Sequence, residues 1–341
     1  MRILVTGGAG FIGSNFVRYL LASRGDVEIL NFDKLSYAGN PENLSDIAGD
    51  PRYQFVRGDI ADHQAVDEVF ARGFDAVVHF AAETHVDRSI EDASPFLTTN
   101  ILGTHALLEA ARHFPDLRFI HISTDEVYGS APVGMFFTEA ATLDPRSPYA
   151  ASKAAAEHFV TAFANTFGVS AVILRCTNNF GPFQFPEKLI PLIIANARES
   201  KPVPIYGDGL QERDWLFVED YCRAIVLALD KGKPGSVYNV SSGGPQPNLK
   251  IVRTILQYLG KPESLVHYVE DRPGHDRRYA LDSSKIRREL GWTPMVSFDE
   301  GISKTIEWYQ TNAVWLDHAR SGAYRQYYDR HYGKRSEMLR K

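Results

Sequence analysis

Two short segments carry residues that could act on a hydroxyl group. Tyr149 and Lys153 stand at positions i and i+4 of a predicted helix, so both side chains project from one face. The ammonium favours the tyrosinate form, so the pair predicts a base for alcohol oxidation, with the pKa of the phenol lowered toward neutral pH. Upstream, Thr124 is followed by two adjacent acids, Asp125 and Glu126. Oxidation needs only one proton acceptor, and the acid pair therefore predicts a second reaction, the elimination of water.

Both segments also have plainer interpretations. A Tyr-x-x-x-Lys match occurs often by chance on a solvated helix, and Asp125 with Glu126 alone would be typical of an exposed acidic turn. Their position after a dinucleotide-binding pattern favours the catalytic interpretation. Adjacent side chains point to opposite faces of a strand but are only about 100° apart in a helical turn, so we expect the chain to leave β geometry at Thr124.

A glycine-rich turn near the N-terminus predicts the cofactor. Gly7, Gly10 and Gly13 have the spacing GxxGxxG and lie between a predicted strand and an amphipathic helix. Glycines at these positions permit a tight turn, a close approach of a pyrophosphate and close packing of the helix. Asp33 ends the next strand and would accept hydrogen bonds from a ribose 2′-hydroxyl, although Lys34 beside it could soften the repulsion of a 2′-phosphate. The pattern favours NAD over NADP.

Two later loops extend this predicted cofactor site. Asp59 follows the third predicted strand, near the expected position of the adenine, although a simple turn aspartate explains it about as well. Ala81 and Ala82 follow the fourth strand and are small enough to let the cofactor lie close.

The helix that carries Tyr149 has clear predicted ends. Ser147 before Pro148 is typical of an N-cap, and Gly168 is typical of a C-cap. Small residues on this helix would let another helix approach closely: Ala150, Ala151, Ala154, Ala155 and Ala156. They predict a homodimer through a helical seam, although a seam within one chain explains them nearly as well.

The order of elements predicts an α/β fold with a doubly wound parallel sheet of the Rossmann type. Short β-rich runs alternate with helix-period segments over the first 180 residues. The predicted strands are Arg2–Thr6, Val27–Phe32, Tyr53–Arg57, Ala76–Phe80, Leu117–Ser123 and Val169–Arg175. After residue 180 the pattern loosens, which predicts a smaller mixed α/β C-terminal substrate lobe.

The chain is expected to cross between the two lobes more than once. Glu219–Leu229 is typical of a helix, and Ser236–Val240 is an apolar strand suited to the first sheet. We therefore predict an NAD-binding Rossmann domain over 1–180 and about 217–243, a substrate domain over 181–216 and 244–330, and a C-terminal tail over 331–341.

Composition limits the classes of partner. The formal net charge is −5, with 37 basic and 42 acidic residues interspersed, so no broad positive field exists to attract nucleic acid or a membrane. No run of apolar residues is long enough for a membrane span, and the default expectation is a cytoplasmic protein. Cys176 and Cys222 stand in apolar segments and are expected to be buried thiols. The histidines and cysteines show no metal-ligand spacing, so no metal is expected.

Taken together, these motifs resemble the extended short-chain dehydrogenase/reductase superfamily and, within it, the dTDP-glucose 4,6-dehydratases. The resemblance covers nearly the whole chain. The acid pair and the segment Arg272–Arg278 are specific to the dehydratases, because the related 4-epimerases lack the acid pair. The matching segments are Thr6–Gly13, Phe80–Ser89, Thr99–Thr104, Ser123–Gly129, Ser147–Lys153, Arg175–Pro182, Arg213–Asp220 and Asp271–Arg278. One departure is Thr84, where the family commonly has Ser; both offer a hydroxyl.

The resemblance implies a mechanism on a nucleotide sugar. Tyr149, assisted by Lys153, would remove the 4-hydroxyl proton while NAD accepts hydride from C4, with Thr124 bonded to the same oxygen. Glu126 would then take the C5 proton, and a protonated Asp125 would give its proton to the departing 6-hydroxyl. Hydride would return to C6, giving dTDP-4-keto-6-deoxyglucose from dTDP-glucose. A 4-epimerase, another nucleotide-sugar dehydratase and a non-catalytic NAD-binding scaffold are the alternatives.

The resemblance also completes the sets of predicted binding residues. The cofactor set is Gly7, Gly10, Phe11, Ile12, Gly13, Asp33, Lys34, Asp59, Ile60, Ala81, Ala82, Thr99, Tyr149, Lys153 and Asn179. The substrate set is Thr84, Thr124, Asn178, Lys188, Leu189, Pro204, Tyr206, Arg213, Asn248, Arg272 and His275. Within the second set, the two arginines are expected to bind the diphosphate, because a planar guanidinium binds phosphate oxygens in pairs.

Overall fold

A parallel sheet of seven strands organises the part of the chain that the computed structural model describes, residues 1–321 and Tyr328. From one edge to the other its strands are β3 (Tyr53–Arg57), β2 (Glu28–Asp33), β1 (Arg2–Thr6), β4 (Ala76–His79), β5 (Arg118–Thr124), β6 (Ser170–Cys176) and β11 (Val237–Val240). Every neighbouring pair is parallel. The predicted strands of this sheet agree with the observed bounds to within one residue, and the predicted doubly wound fold is confirmed.

Helices cover both faces of the sheet, which explains the continuous apolar strands. The helices are α1 (Phe11–Ser23), α2 (His63–Phe70), α3 (Val86–Glu91), α4 (Ser94–Phe96), α5 (Thr104–Ala111), α6 (Pro148–Phe167), α7 (Leu189–Arg198), α8 (Val218–Lys231), α9 (Asn248–Tyr258), α10 (Ser284–Leu290), α11 (Phe298–Thr311) and α12 (Ala313–Ala319). Successive strand residues pack on opposite sides: Val5 joins α1 and α8 in one core, whereas Leu4 joins α2, α5 and α6 in another. The sheet is therefore buried on both faces.

Shorter helical segments interrupt or extend these elements. A π-helix spans Leu97–Gly103 and runs into α5. Three short 3₁₀-helices span Pro41–Leu44, Asp125–Tyr128 and Glu263–Leu265 within the described residues.

A smaller mixed α/β lobe follows β6 and has its own apolar core. Its strands form three pairs: β7 (Asn178–Phe180) with β10 (Trp215–Phe217), β8 (Val203–Tyr206) with β13 (Val266–Val269), and β9 (Glu212–Arg213) with β12 (Gln246–Pro247). The core is built from α7, α9, α11 and α12 and includes the buried Phe180, Ile193 and Ile255. The division of the chain into domains stays a prediction, and its tail over 331–341 lies outside the described residues.

The chain returns from the second lobe to complete the sheet of the first. β11 pairs with β6, with Val237 opposite Ile173 and Val240 opposite Cys176. The apolar run Ser236–Val240 is expected to suit the first sheet, and β11 lies at the edge of that sheet. Both cysteines are buried free thiols, as predicted. Within the described residues, no helix combines the length and the apolar character that crossing a membrane requires.

Gly7 offers a test of how tightly the first turn packs. Gly7 has φ +72°, and a Cβ built there would lie 2.5 Å from the backbone nitrogen of Ala81. Gly73 has nearly the same φ, +73°, but no atom within 4 Å of such a Cβ. We expect Gly73→Ala to lower the free energy of unfolding by about 1 kcal/mol, the cost of a left-handed residue with a side chain. Gly7→Ala should cost at least about 2 kcal/mol more, because backbone must also move.

Denaturant unfolding of the two variants beside the wild-type protein measures this difference. Equal losses of stability for Gly7→Ala and Gly73→Ala would mean that the turn has room for a side chain. Glycine would then be required at position 7 only because of its positive φ.

Candidate active site

One cleft at the carboxyl ends of the central strands contains the predicted catalytic residues. Its volume is about 280 Å³, and its lining includes Thr124, Asp125, Glu126, Tyr149 and Lys153. Open α/β sheets bind ligands at this edge, where the strand order reverses on either side of β1. The glycine-rich turn after β1 lines the same cleft. The two predicted functions, dinucleotide binding and acid–base chemistry, therefore share one space.

The turn after β5 places the two acids side by side. β5 ends at Thr124, and the chain continues directly into the 3₁₀-helix Asp125–Tyr128, as predicted. The Thr124 hydroxyl accepts a hydrogen bond from the Glu126 amide at 3.3 Å and donates one to Asp125 Oδ1 at 3.2 Å. Helical geometry thus turns both carboxyls toward the cleft instead of to opposite faces of a strand.

Burial sets the protonation of the acid pair. Burial, together with the charge of Glu126, raises the pKa of Asp125 to about 7. Burial also raises the pKa of Glu126, while the charges of Arg272 and Arg213 lower it. Oδ2 of Asp125 has no hydrogen-bond partner among the described residues. Near neutral pH Asp125 can therefore hold a proton beside Glu126, whose carboxylate form the two arginines favour.

Helix α6 presents Tyr149 and Lys153 to the same cleft. Its ends are as predicted: the Ser147 side chain accepts from the Ala150 amide, and Gly168 is left-handed with φ 73°. Lys153 Nζ donates to the backbone oxygen of Ile122 at 2.7 Å, and burial lowers its pKa to about 8. The ammonium is thus fixed at the end of β5.

The expected lowering of the Tyr149 pKa is wrong for this arrangement. Burial, followed by the charge of Glu126, raises the pKa of the phenol well above its ordinary value. A hydrogen bond with Thr124 opposes this increase but does not outweigh it. The reason is that the sequence shows the neighbouring Lys153 but not the depth at which the hydroxyl is buried.

The glycine-rich turn fits a dinucleotide. A Cβ at Gly13 would lie 2.4 Å from the Gly7 oxygen, so α1 packs as closely on the turn as backbone allows. Asp33 is buried and accepts from the amides of Ala9 and Leu35 at 2.9 and 2.8 Å. These bonds orient its carboxylate at the cleft wall.

The remaining predicted cofactor residues line the same cleft, from Gly10, Phe11 and Ile12 to Thr99 and Asn179. Lys34 Nζ pairs with Asp59 Oδ2 at 2.6 Å. This ion pair neutralises Lys34, the basic side chain next to Asp33 in the chain that could have accommodated a 2′-phosphate. The arrangement fits a 2′-hydroxyl ribose, in agreement with the prediction of NAD.

The predicted substrate residues fall into two groups. Thr84, Asn178 and Lys188 line the cleft with the catalytic residues, and Lys188 Nζ donates to the backbone oxygen of Thr84 at 2.9 Å. The others lie in the second lobe, outside this lining: Leu189, Pro204, Tyr206, Arg213, Asn248, Arg272 and His275. Asn178 and Asn248 each keep a buried side-chain oxygen that has no hydrogen-bond partner among the described residues.

Contacts within the second group connect it to the acid pair. Arg272 lies 3.7 Å from Asp87, which also accepts from the Tyr206 hydroxyl at 2.9 Å. The Tyr206 ring packs edge-on against His275 at 6.0 Å. The charges of both predicted diphosphate-binding arginines reach Glu126, since they lower its pKa. Leu189 begins α7 and Pro204 lies in β8 with Tyr206; their roles in binding stay predictions.

Tyr279 is a residue of the site that the sequence motifs do not predict. Its hydroxyl donates to Asp276 Oδ2 at 2.9 Å and lies 3.5 Å from Glu126 Oε2. The Arg213 guanidinium stacks on its ring at 4.0 Å. Tyr279 therefore connects a predicted catalytic base with a predicted phosphate-binding arginine. Its only sequence signal is its position just after the Arg272–Arg278 segment.

Comparison with known proteins identifies the family. The family model for GDP-mannose 4,6 dehydratase matches residues 4–305. A dTDP-glucose 4,6-dehydratase of Salmonella typhimurium is 48% identical, over 97% of this chain and 99% of the relative. A dTDP-glucose 4,6-dehydratase of Streptomyces niveus is 51% identical, over 94% of this chain and 96% of the relative.

A solved structure agrees with the whole fold. The dTDP-glucose 4,6-dehydratase of Streptomyces venezuelae, crystallised with NAD and dTDP bound, superposes with a TM-score of 0.91 and is 48% identical. The match covers 94% of this chain and all of that structure. The sequence, the fold and the acid pair at the end of β5 agree, and the chain belongs to the dTDP-glucose 4,6-dehydratase family of the extended short-chain dehydrogenase/reductases.

Proposed function

We propose that this protein is an NAD-dependent dTDP-glucose 4,6-dehydratase, a hydro-lyase that converts dTDP-glucose to dTDP-4-keto-6-deoxyglucose. The observation that carries the proposal is the acid pair, a buried Asp125 beside a half-buried Glu126, held near Tyr149 in the cleft that contains the glycine-rich turn. The names of the relatives support dTDP-glucose as the substrate.

The side chains divide the chemistry between oxidation and elimination. Tyr149 accepts the proton of the sugar 4-hydroxyl, and Thr124 donates a hydrogen bond to the resulting 4-keto oxygen. The ketone acidifies the C5 proton, which Glu126 removes. Asp125 then gives its proton to the 6-hydroxyl as water leaves. A raised pKa suits Asp125, because a donor must still hold its proton near neutral pH.

NAD, when bound against the glycine-rich turn, supplies a hydride acceptor for C4, a positive charge beside the phenol and, once reduced, the hydride donor for C6. Lys153 is fixed near this position by its bond to the Ile122 oxygen, so its ammonium can add to the positive potential at the phenol. Both charges would oppose the burial that raises the pKa of Tyr149.

Two arginines of the second lobe are the proposed diphosphate ligands. Arg213 is buried, and its guanidinium is oriented by the backbone oxygens of Glu212 and Asp276, each at 2.8 Å. Arg272 keeps a buried Nε that has no hydrogen-bond partner among the described residues. These two cations provide locally the positive charge that the net-acidic chain lacks as a whole.

A 4-epimerase is the nearest alternative. An epimerase oxidises C4 and returns hydride to the same carbon, so it needs no acid and base at C5 and C6. The desolvation of Asp125 and Glu126, which raises the pKa of both, would then be a cost without a function, which argues against this alternative.

The homodimer and the cytoplasmic location also stay proposals. Leu97 and Leu102 of the π-helix and Phe159 of α6 are exposed by 53, 56 and 39%. These two elements pack on one another, and their exposed apolar side chains suit a helical seam with a second copy. The mass of the protein in solution, measured by light scattering, tests this seam; a monomer at micromolar concentration would exclude it.

An assay with several nucleotide sugars tests the proposed substrate. The purified protein should convert dTDP-glucose to a 4-keto-6-deoxy sugar, detected by the absorbance that such sugars develop in alkali. UDP-, CDP- and GDP-linked counterparts should react more slowly at equal concentration. Equal rates with all four nucleotide sugars would still support the dehydratase reaction, but they would exclude a preference for the thymidine nucleotide.

A double variant separates oxidation from elimination. Asp125→Asn combined with Glu126→Gln should still oxidise C4, so reduced nicotinamide accumulates, while formation of the 4-keto-6-deoxy product falls by about 10²-fold or more, the usual contribution of acid–base groups. Asp144→Asn is the control, because its carboxyl is 67% exposed and pairs with Arg146 at the surface. Product formation at the wild-type rate in the double variant would refute the assigned roles.

The rate should depend on pH in a direction set by both acids. Asp125 donates a proton and has a pKa raised to about 7, so its active form is lost as pH rises through 7. Glu126 accepts a proton, so its active form is the carboxylate. Burial raises the pKa of Glu126, and the carboxylate is lost as pH falls through that pKa. We expect a bell-shaped profile of kcat, falling about tenfold per pH unit on the alkaline side. A rate that keeps increasing well above pH 7 would contradict the role of Asp125 as the donor.

A further inference from the structure

One hydrogen bond joins two distant parts of the cleft wall. The Tyr37 hydroxyl donates to Glu187 Oε1 at 2.9 Å. Tyr37 lies in the loop after β2, whose neighbours Ser36, Ala38 and Gly39 line the cleft beside Asp33. Glu187 lies just before α7, in the second lobe, and lines the same cleft. The bond therefore connects the ribose-binding side of the first lobe with the second lobe.

This hydrogen bond is partly buried and is surrounded by further polar and aromatic contacts. The Glu187 side chain is only 1% exposed, and its other oxygen lies 3.6 Å from His85 Nε2 and 3.9 Å from Arg88 Nε. The Arg88 guanidinium also stacks on the Tyr37 ring at 4.0 Å, and Phe185 packs edge-on against that ring at 5.9 Å. Burial raises the pKa of the Glu187 carboxyl to about 7, against the charges of Lys188 and Arg88 and the bond from Tyr37, which lower it.

Tyr37 remains a hydrogen-bond donor across the neutral range. Burial, together with the charge of Glu187, raises the pKa of its phenol well above the ordinary value. Its hydroxyl proton is therefore available for the bond to Glu187 wherever the protein is folded near neutral pH.

The loop that carries Tyr37 is also tied to Asp33. Asp33 Oδ1 accepts from the Leu35 amide at 2.8 Å, and Leu35 is left-handed with φ 57°. On the other side, Phe183 is left-handed with φ 66°, shortly before Glu187. A non-glycine residue keeps such a conformation only when surrounding contacts hold it. The proposed ribose ligand and the bond between the lobes thus share one short, constrained segment.

We propose that Tyr37 and Glu187 form a latch that retains the dinucleotide in the cleft between catalytic cycles. The inference rests on the proposed function, in which the cofactor ends each cycle in the form in which it began and need not leave. The latch closes the wall next to Asp33, so the dinucleotide can dissociate only when the bond between the two lobes opens. Tyr37 and Glu187 are positioning residues in this scheme and take no part in proton transfer to the sugar.

The test measures how fast NAD leaves the protein. The holoenzyme is loaded with NAD, freed of excess, and diluted, and the NAD still bound is released by denaturation and quantified over time. Tyr37→Phe removes only the hydroxyl and should increase the dissociation rate of NAD about tenfold, the effect of losing one buried hydrogen bond. Its activity should fall on dilution and recover when NAD is added.

A matched variant removes a bond of the same type elsewhere. The Tyr238 hydroxyl donates to Glu289 at 3.2 Å; Tyr238 lies in the edge strand β11, and neither residue lines the cleft, so Tyr238→Phe should leave NAD dissociation unchanged. In a double-mutant cycle, Glu187→Ala should have little further effect once Tyr37 is Phe. Thermal unfolding shows whether each variant is folded. If Glu187→Ala does not fold, the dissociation rate of NAD from Tyr37→Phe is sufficient to test the latch.

Two outcomes would overturn the latch: a Tyr37→Phe protein that releases NAD at the wild-type rate, or equal acceleration by Tyr37→Phe and Tyr238→Phe. The measurement needs no sugar substrate, so it is separate from the proposed reaction. A wild-type protein that retains NAD but fails to dehydrate dTDP-glucose would refute the proposed function and leave the latch standing.

Discussion

The desolvation of two adjacent carboxyls is the constraint on which the rest of the site depends. Asp125 and Glu126 lose water on folding, and burial raises the pKa of both. Such a pair is tolerated only if cations and hydrogen bonds offset the loss of hydration. The first lobe supplies the Thr124 hydroxyl, and the second lobe supplies Arg213 and Arg272. The acid pair therefore needs both lobes, which explains why the catalytic cleft lies where they meet.

Packing also holds the Arg213 guanidinium in place before a diphosphate binds. Arg213 is buried between two backbone oxygens and the ring of Tyr279, so its guanidinium loses little freedom when an anion arrives. Tyr279 in turn contacts Glu126. Charge that binds a diphosphate and charge that tunes the base are thus parts of one connected group, and a change at either end alters the other.

Local sequence patterns were sufficient to predict the fold but not the pKa values and long-range contacts of the site. Apolar runs placed the strands, and Ser147 and Gly168 placed the ends of α6, because these features depend on neighbours in the chain. Tyr279 and Glu187 contact residues far away in sequence, so no local pattern marks them. The pKa of Tyr149 was predicted with the wrong sign for the same reason: burial of its hydroxyl arises from packing that the sequence does not display.

β11 completes the sheet late in the chain, and this has a consequence for synthesis. β6 leaves the ribosome well before β11, so its outer edge remains unpaired while 177–236 are still being translated. An unpaired apolar strand edge is a template for pairing with other chains. The nascent protein therefore passes through an aggregation-prone stage whose duration follows the speed of translation. Slow codons in that stretch would lower the yield of folded protein, although the finished molecule would be identical.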